Sequence, residues 1–129
     1  MDSPIPYLLA LCKALGLPAY SAATTSLPEK YIFIQLASSI PLPNGPALLA
    51  SDNSISISAI APTRAEAEKT SRTLIEAIIE AHENATVYAG TSTALAEVVS
   101  FPVALPSVEV ARQKTSYQCA FTVRLVLAS

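Results

Sequence analysis

A chain of 129 residues, 51% hydrophobic and 14% charged, has the size of one domain, enough to bury roughly two-thirds of its unfolded surface. It carries fewer charges than the roughly 25% usual for soluble proteins. Ten acids against eight bases with no basic stripe exclude the clustered phosphate neutralisation of tight nucleic-acid binding, and no apolar run approaches the roughly 20 residues of a membrane span.

Surface that is neither charged nor buried often belongs to an interface. The opening "MDSPIPYLLALCKALG" has no basic region ahead of its short apolar part and contains prolines, which predicts no signal peptide and a chain made in a cytoplasm. Cys12 and Cys119 are too few and too far apart for a disulfide framework, so two buried thiols are expected. The sequon at Asn84 has no meaning in a chain that is not secreted.

Ser3 can cap a first helix with Pro4 at its opening position. Tyr7, Leu8, Leu11, Cys12 and Leu15 then recur at helical spacing, and Gly16, Leu17 and Pro18 stop the helix. After an extended "AYSAA", the run Lys30 to Ser38 is rich in β-branched and aromatic residues and reads as a strand. Ile32, Ile34 and Leu36 fall on one side and Tyr31, Phe33 and Gln35 on the other, a pattern that predicts packing on both faces. The segment Ser39 to Asn53, with Pro41, Pro43 and Pro46 around Asn44-Gly45, reads as a long loop. It is either loose surface or a binding loop, and Leu42, Leu48 and Leu49 favour contact with a partner.

In "SISISAI", Ile55 and Ile57 alternate with Ser54, Ser56 and Ser58, the period of a strand with one buried face, and Pro62 ends it. Thr63 and Glu66 form a capping box. The helix that follows puts Ala67, Ser71, Leu74, Ile75, Ile78 and Ile79 on one stripe, and Glu66, Glu68, Lys69, Arg72, Glu76 and Glu80 toward water. Beyond Ala85, "TVYAG" and "AEVVSFPVAL" are strand candidates broken by Gly90 and Pro102. The remainder reads as a hairpin turning near Gln113 to Ser116. Its last arm, with Tyr117, Cys119, Phe121, Val123, Leu125 and Leu127 in strict alternation, belongs in the middle of a sheet. These elements predict one α+β domain, a mainly antiparallel sheet with two helices packed on one face.

Chemistry has little material here. An enzyme needs a nucleophile with a base, a metal set or paired carboxylates in a pocket. His82 stands near the end of the second helix, where a cation complements the dipole, and has no placed partner. One His and two isolated Cys supply no metal site, and no phosphate-cradling glycine loop is present. No catalytic residue, metal or cofactor is therefore expected. Glu76 and Glu80, with Glu83 beyond, crowd the negative end of the second helix at a cost of a few tenths of a kcal/mol each. They are either solvated decoration or partners for Arg112 and Lys114 near the hairpin turn, in the same subunit or a neighbour.

The order of short N-terminal helix, "KYIFIQLAS", loop, "SISISAIAP", the helix "TRAEAEKTSRTLIEAI" and a hairpin ending "CAFTVRLVLAS" resembles the tail terminator, or tail completion, proteins of long-tailed bacteriophages and prophages. The resemblance spans most of the chain in length, order and pattern, without a short invariant motif. It implies a non-enzymatic virion protein, assembled in the host cytoplasm, that forms a homo-hexameric ring. Such a ring caps the tail tube, ends its polymerisation and offers a surface to head-completion proteins. DNA only passes through its lumen, which tends not to be basic, and no membrane is involved. The loop Ser39 to Asn53 and the hairpin Ser107 to Tyr117 are then the expected contacts. Two alternatives remain at this point: another phage neck or head-completion component, and a small-ligand-binding or enzymatic ferredoxin-like domain.

Overall fold

The computed structural model describes residues 3–22, 28–41, 51–110 and 114–128. Its elements are α1 (Pro4–Ala14), β1 (Ala19–Tyr20), β2 (Tyr31–Pro41), β3 (Ser51–Ala61), α2 (Arg64–Glu83), β4 (Ser92–Val110) and β5 (Lys114–Ala128). The strands form one sheet in the order β1-β2-β3-β5-β4, antiparallel except where β1 lies parallel to β2. Because β3 and β4 are each antiparallel to β5, they run parallel to each other. The unit β3-α2-β4 is thus a split β-α-β whose gap is filled by the last strand of the chain. The α+β expectation holds, as does the interior position of β5.

Local chemistry sets the helix ends. Ser3 Oγ accepts from the Ile5 amide at 3.2 Å, and Thr63 Oγ1 accepts from the Glu66 amide at the same distance, each satisfying one of the free N–H groups of a first turn. Both helices finish in a Schellman motif. In α1 the Leu17 amide donates to the Cys12 carbonyl and Gly16 to Lys13; in α2 Thr86 donates to Ala81 and Ala85 to His82. The left-handed residue is Gly16 (φ 74) in the first and Ala85 (φ 49) in the second. Only the first of these stops was announced by a glycine.

One face of the sheet carries the core. Ile32 and Ile34 of β2, Ile55, Ile57 and Ala59 of β3, and Phe121, Val123 and Leu125 of β5 join Tyr7, Leu8, Leu11 and Cys12 of α1 and Leu74, Ile78 and Ala81 of α2 in a single buried cluster. Burying each of the large side chains stabilises the fold by about 1.5–3 kcal/mol. The alternation read in β3 and β5 is therefore the one observed. Packing on both faces of β2 is not: the helices lie on the core side, while on the other side Gln35 is exposed and Phe33 half-buried. There Tyr31 is covered by the edge of Tyr20, with ring centroids 6.1 Å apart.

Other expectations shift in register. The buried residues of α2 are Ala67, Thr70, Ser71, Leu74, Ile78 and Ala81, so Thr70 and Ala81 replace Ile75 and Ile79. A helix advances 100° per residue, which keeps 67, 70, 71, 74, 78 and 81 on one stripe and leaves Ile79 41% exposed. The supposed loop Ser39 to Asn53 is shorter, since Ser39, Ile40 and Pro41 pair with Asn53, Asp52 and Ser51. The supposed turn at Gln113 to Ser116 is displaced, because Lys114, Thr115 and Ser116 pair with Val110, Glu109 and Val108. Pro102 does not break "AEVVSFPVAL": β4 runs through it and through Pro106, with its register slipping between Ser100 and Val103 and again between Leu105 and Val108. An edge strand with bulges tolerates residues lacking an N–H.

Candidate functional site

The paired lengths of the strands give the sheet its distinctive outline. β3 pairs with β5 from Asn53 with Leu125 to Ala61 with Tyr117. Past Tyr117 the β4-β5 hairpin continues as two strands, through Ser116 with Val108 to Lys114 with Val110. Past Asn53, at the other end of the sheet, the β2-β3 hairpin continues through Ile40 with Asp52 to Pro41 with Ser51. At that end the β4-β5 hairpin runs on as well, through Leu127 with Thr93 to Ala128 with Ser92, so among the described strands one ribbon, β4-β5 beyond Tyr117, outruns its neighbours.

Of the residues singled out in the sequence, Glu76 and Glu80 lie exposed on α2, flanking Ile79 in sequence, and neither makes an ion pair with a described residue. Lys114 opens β5 at the tip of the β4-β5 ribbon. Leu42, Leu48, Leu49 and Arg112 lie outside the described residues.

The polar side chains that the structure does place are engaged in holding elements together. His82 Nδ1 lies 2.8 Å from Thr93 Oγ1, tying the last turn of α2 to β4. Beside them the Tyr7 and Tyr88 rings meet edge to face at 5.5 Å. The Tyr7 hydroxyl is buried with no hydrogen-bond partner among the described residues. Burial raises its pKa, opposed by the neighbouring Thr93 side chain and assisted by Tyr88. A small hollow of about 170 Å³ opens next to it between Ser3, Pro6, Ala89 and Thr91. Ser71 Oγ donates to the Glu68 carbonyl at 2.9 Å and lies 3.3 Å from Cys119 Sγ. Both cysteines are buried and free, and burial pushes the Cys12 thiol up to about 12.

Two polar sites were not found from the sequence. Asn53, 1% exposed, donates to the Leu125 carbonyl at 3.1 Å and accepts from Ser39 Oγ at 2.8 Å, locking β2, β3 and β5 together at the last pair of the β3-β5 ladder. On the opposite face Arg124 donates through Nε to Asp52 at 3.0 Å and through Nη1 to Glu97 at 3.3 Å, bridging β3 and β4 across β5. Arg124 holds the Asp52 carboxyl below its usual range, chiefly by hydrogen bonding. A single arginine in the apolar run "FTVRLVLA" was the available signal, but its partners are set by strand register. Among the described residues no group of three or more His, Cys, Asp or Glu could hold a metal ion. No helix among them is long and apolar enough to cross a membrane.

No known protein family matches the chain, and no curated protein matches it. Among solved structures, it is similar to a chain of the "Virion of native gene transfer agent (GTA) particle", with a TM-score of 0.49 and 15% sequence identity over 92% of this chain and 84% of that one. Neither value at this level speaks to function.

Proposed function

We propose that this chain is a structural protein of virion assembly, a tail terminator whose subunits form a ring on the end of a phage tail tube, stop its growth and present a surface for joining the head. The observation that carries this reading is the two-stranded β4-β5 ribbon that outruns β3 beyond Tyr117. An isolated two-stranded ribbon is marginally stable in water, and its backbone groups are completed by contact with another chain. A contact between that ribbon and a different surface of the next subunit is heterologous, the kind that generates rings when the rotation closes. The element order named above as tail-terminator-like supports the specific role, and the acidic balance of the chain suits a lumen through which DNA passes without being held.

In this reading the chain is not an enzyme, and its partners are further copies of itself, the tube protein and a head-completion protein. Glu76 and Glu80 meet cations of a neighbour. The test adds the purified chain to polymerising tail tubes and follows tube length by electron microscopy. Tubes of arrested length with a ring at one end are expected, and the double reversal Glu76→Lys, Glu80→Lys weakens ring formation at moderate salt. Tubes that grow as if nothing had been added contradict the role.

A further inference from the structure

Among the described residues several backbone edges of the sheet lack a neighbouring strand, and two of them are complementary. The first is the outer side of β2. β1 covers it at Ile32 and Phe33, and beyond them the side chains from Gln35 to Ile40 are all exposed, Leu36 at 43% and Ile40 at 60%. A free edge is a template for another strand, and proteins blunt such edges with charges, prolines and bulges. From Tyr31 through Ser51 the chain contains no Asp, Glu, Lys or Arg. The opposite edge of the sheet, β4, is blunted: it holds Pro102 and Pro106, and its register slips at four places. β2 shows one slip, at Ala37. The second unpaired edge is the β3 side of β5 at Lys114, Thr115 and Ser116, where β3 has already ended at Ala61 opposite Tyr117.

We infer that the outer edge of β2 receives the β4-β5 ribbon of a second copy of this chain, with residues 114–116 pairing alongside the stretch between Gln35 and Ile40. The occupant must be an extended strand, because a row of N–H and C=O groups at strand spacing is satisfied by another backbone. A second copy's β2 is excluded by the bulge at Ala37, which would fall inside a two-fold pairing and interrupt its ladder. A second copy's β4 edge is excluded by its prolines and slips. The ribbon fits. Its three free residues match the uninterrupted run on one side of the bulge, and the third strand it gains relieves the marginal stability of two. Since donor and acceptor edges differ and lie on the same chain, the contact propagates from copy to copy. The inference goes beyond the tail-capping role and stands without it.

The test uses two full-length variants, Ser38→Cys and Thr115→Cys, each with wild-type far-UV circular dichroism, mixed and treated with a short bismaleimide. Native Cys12 and Cys119 are buried, and the wild-type chain serves as the blank. Cross-linked dimer is expected in the mixture and not in either variant alone. It is lost when Leu36→Lys is added to the Ser38→Cys chain, with melting temperature unchanged. Cross-linking of Ser38→Cys with itself, or of Thr115→Cys with itself, overturns the assignment of the ribbon to β2, and so does a mixture that yields no dimer. Tube capping is read separately by microscopy, so failure of either idea is visible without the other.

Discussion

Ala85 occupies a left-handed position, φ 49, that helix termini usually give to glycine. An L side chain there costs about 1–2 kcal/mol, part of which glycine returns through its greater freedom when unfolded. Ala85→Gly is expected to raise stability by about 1 kcal/mol. Gly16→Ala, at φ 74 with open space around the added carbon, is expected to lower it by about the same amount, since backbone strain is the sole cost. Denaturant midpoints at unchanged m-value measure both. Asp52 gives a pH prediction. Its carboxyl is held low in the folded state by Arg124, so its contribution is present above the ordinary carboxylate pKa of about 3.9 and is lost as pH falls through the depressed folded value. Between pH 7 and pH 3 wild type should therefore lose more stability than Asp52→Asn, and the difference should shrink with salt because the pair is partly exposed. At this scale the sequence was legible where one residue decides the matter, as at Ser3, Gly16 and Thr63. It was not legible where a partner remote in sequence decides, as for Asn53 with Leu125 or Arg124 with Asp52, both 72 residues apart.

Period-2 alternation was the clearest signal for whole elements, because β3 and β5 are flanked on both sides by strands and lie under the helices on one face. Phe121 and Thr122 test it side by side. Phe121→Ala empties a core site that is 2% exposed and should cost about 3–5 kcal/mol. Thr122→Ala, on the half-exposed opposite face, should change stability by less than about 1 kcal/mol by comparison. Equal losses in urea denaturation would contradict the assigned faces. β4 was harder to read for a physical reason: proline normally signals a break, and at an edge the missing N–H costs no ladder bond. The stripe of α2 was blurred because isoleucines occupy both 78 and 79, and hydropathy alone does not say which one faces the sheet. Ile78 shares its line with the buried Ala67, Leu74 and Ala81, and Ile79 does not.

At the scale of the molecule, β5 completes a sheet whose gap α2 has spanned, and the β4-β5 hairpin outruns β3 beyond Tyr117. The sequence carried the element order, and through it the tail-terminator resemblance. It did not carry the ribbon, which arises from a difference in paired length between β3 and β5, strands that are not neighbours in the chain. Nor does the described structure unite Glu76 and Glu80 with a cation; under the proposed ring the cation is a neighbour's, which the charge reversal tests. The most direct measurement of the central claim is the mass of the chain by light scattering, alone over a range of concentrations and then with tail tubes. A hexamer, or a monomer that becomes a ring of six bound to tube ends, is the predicted result. A chain that stays monomeric or dimeric at every concentration and does not bind tubes would contradict it.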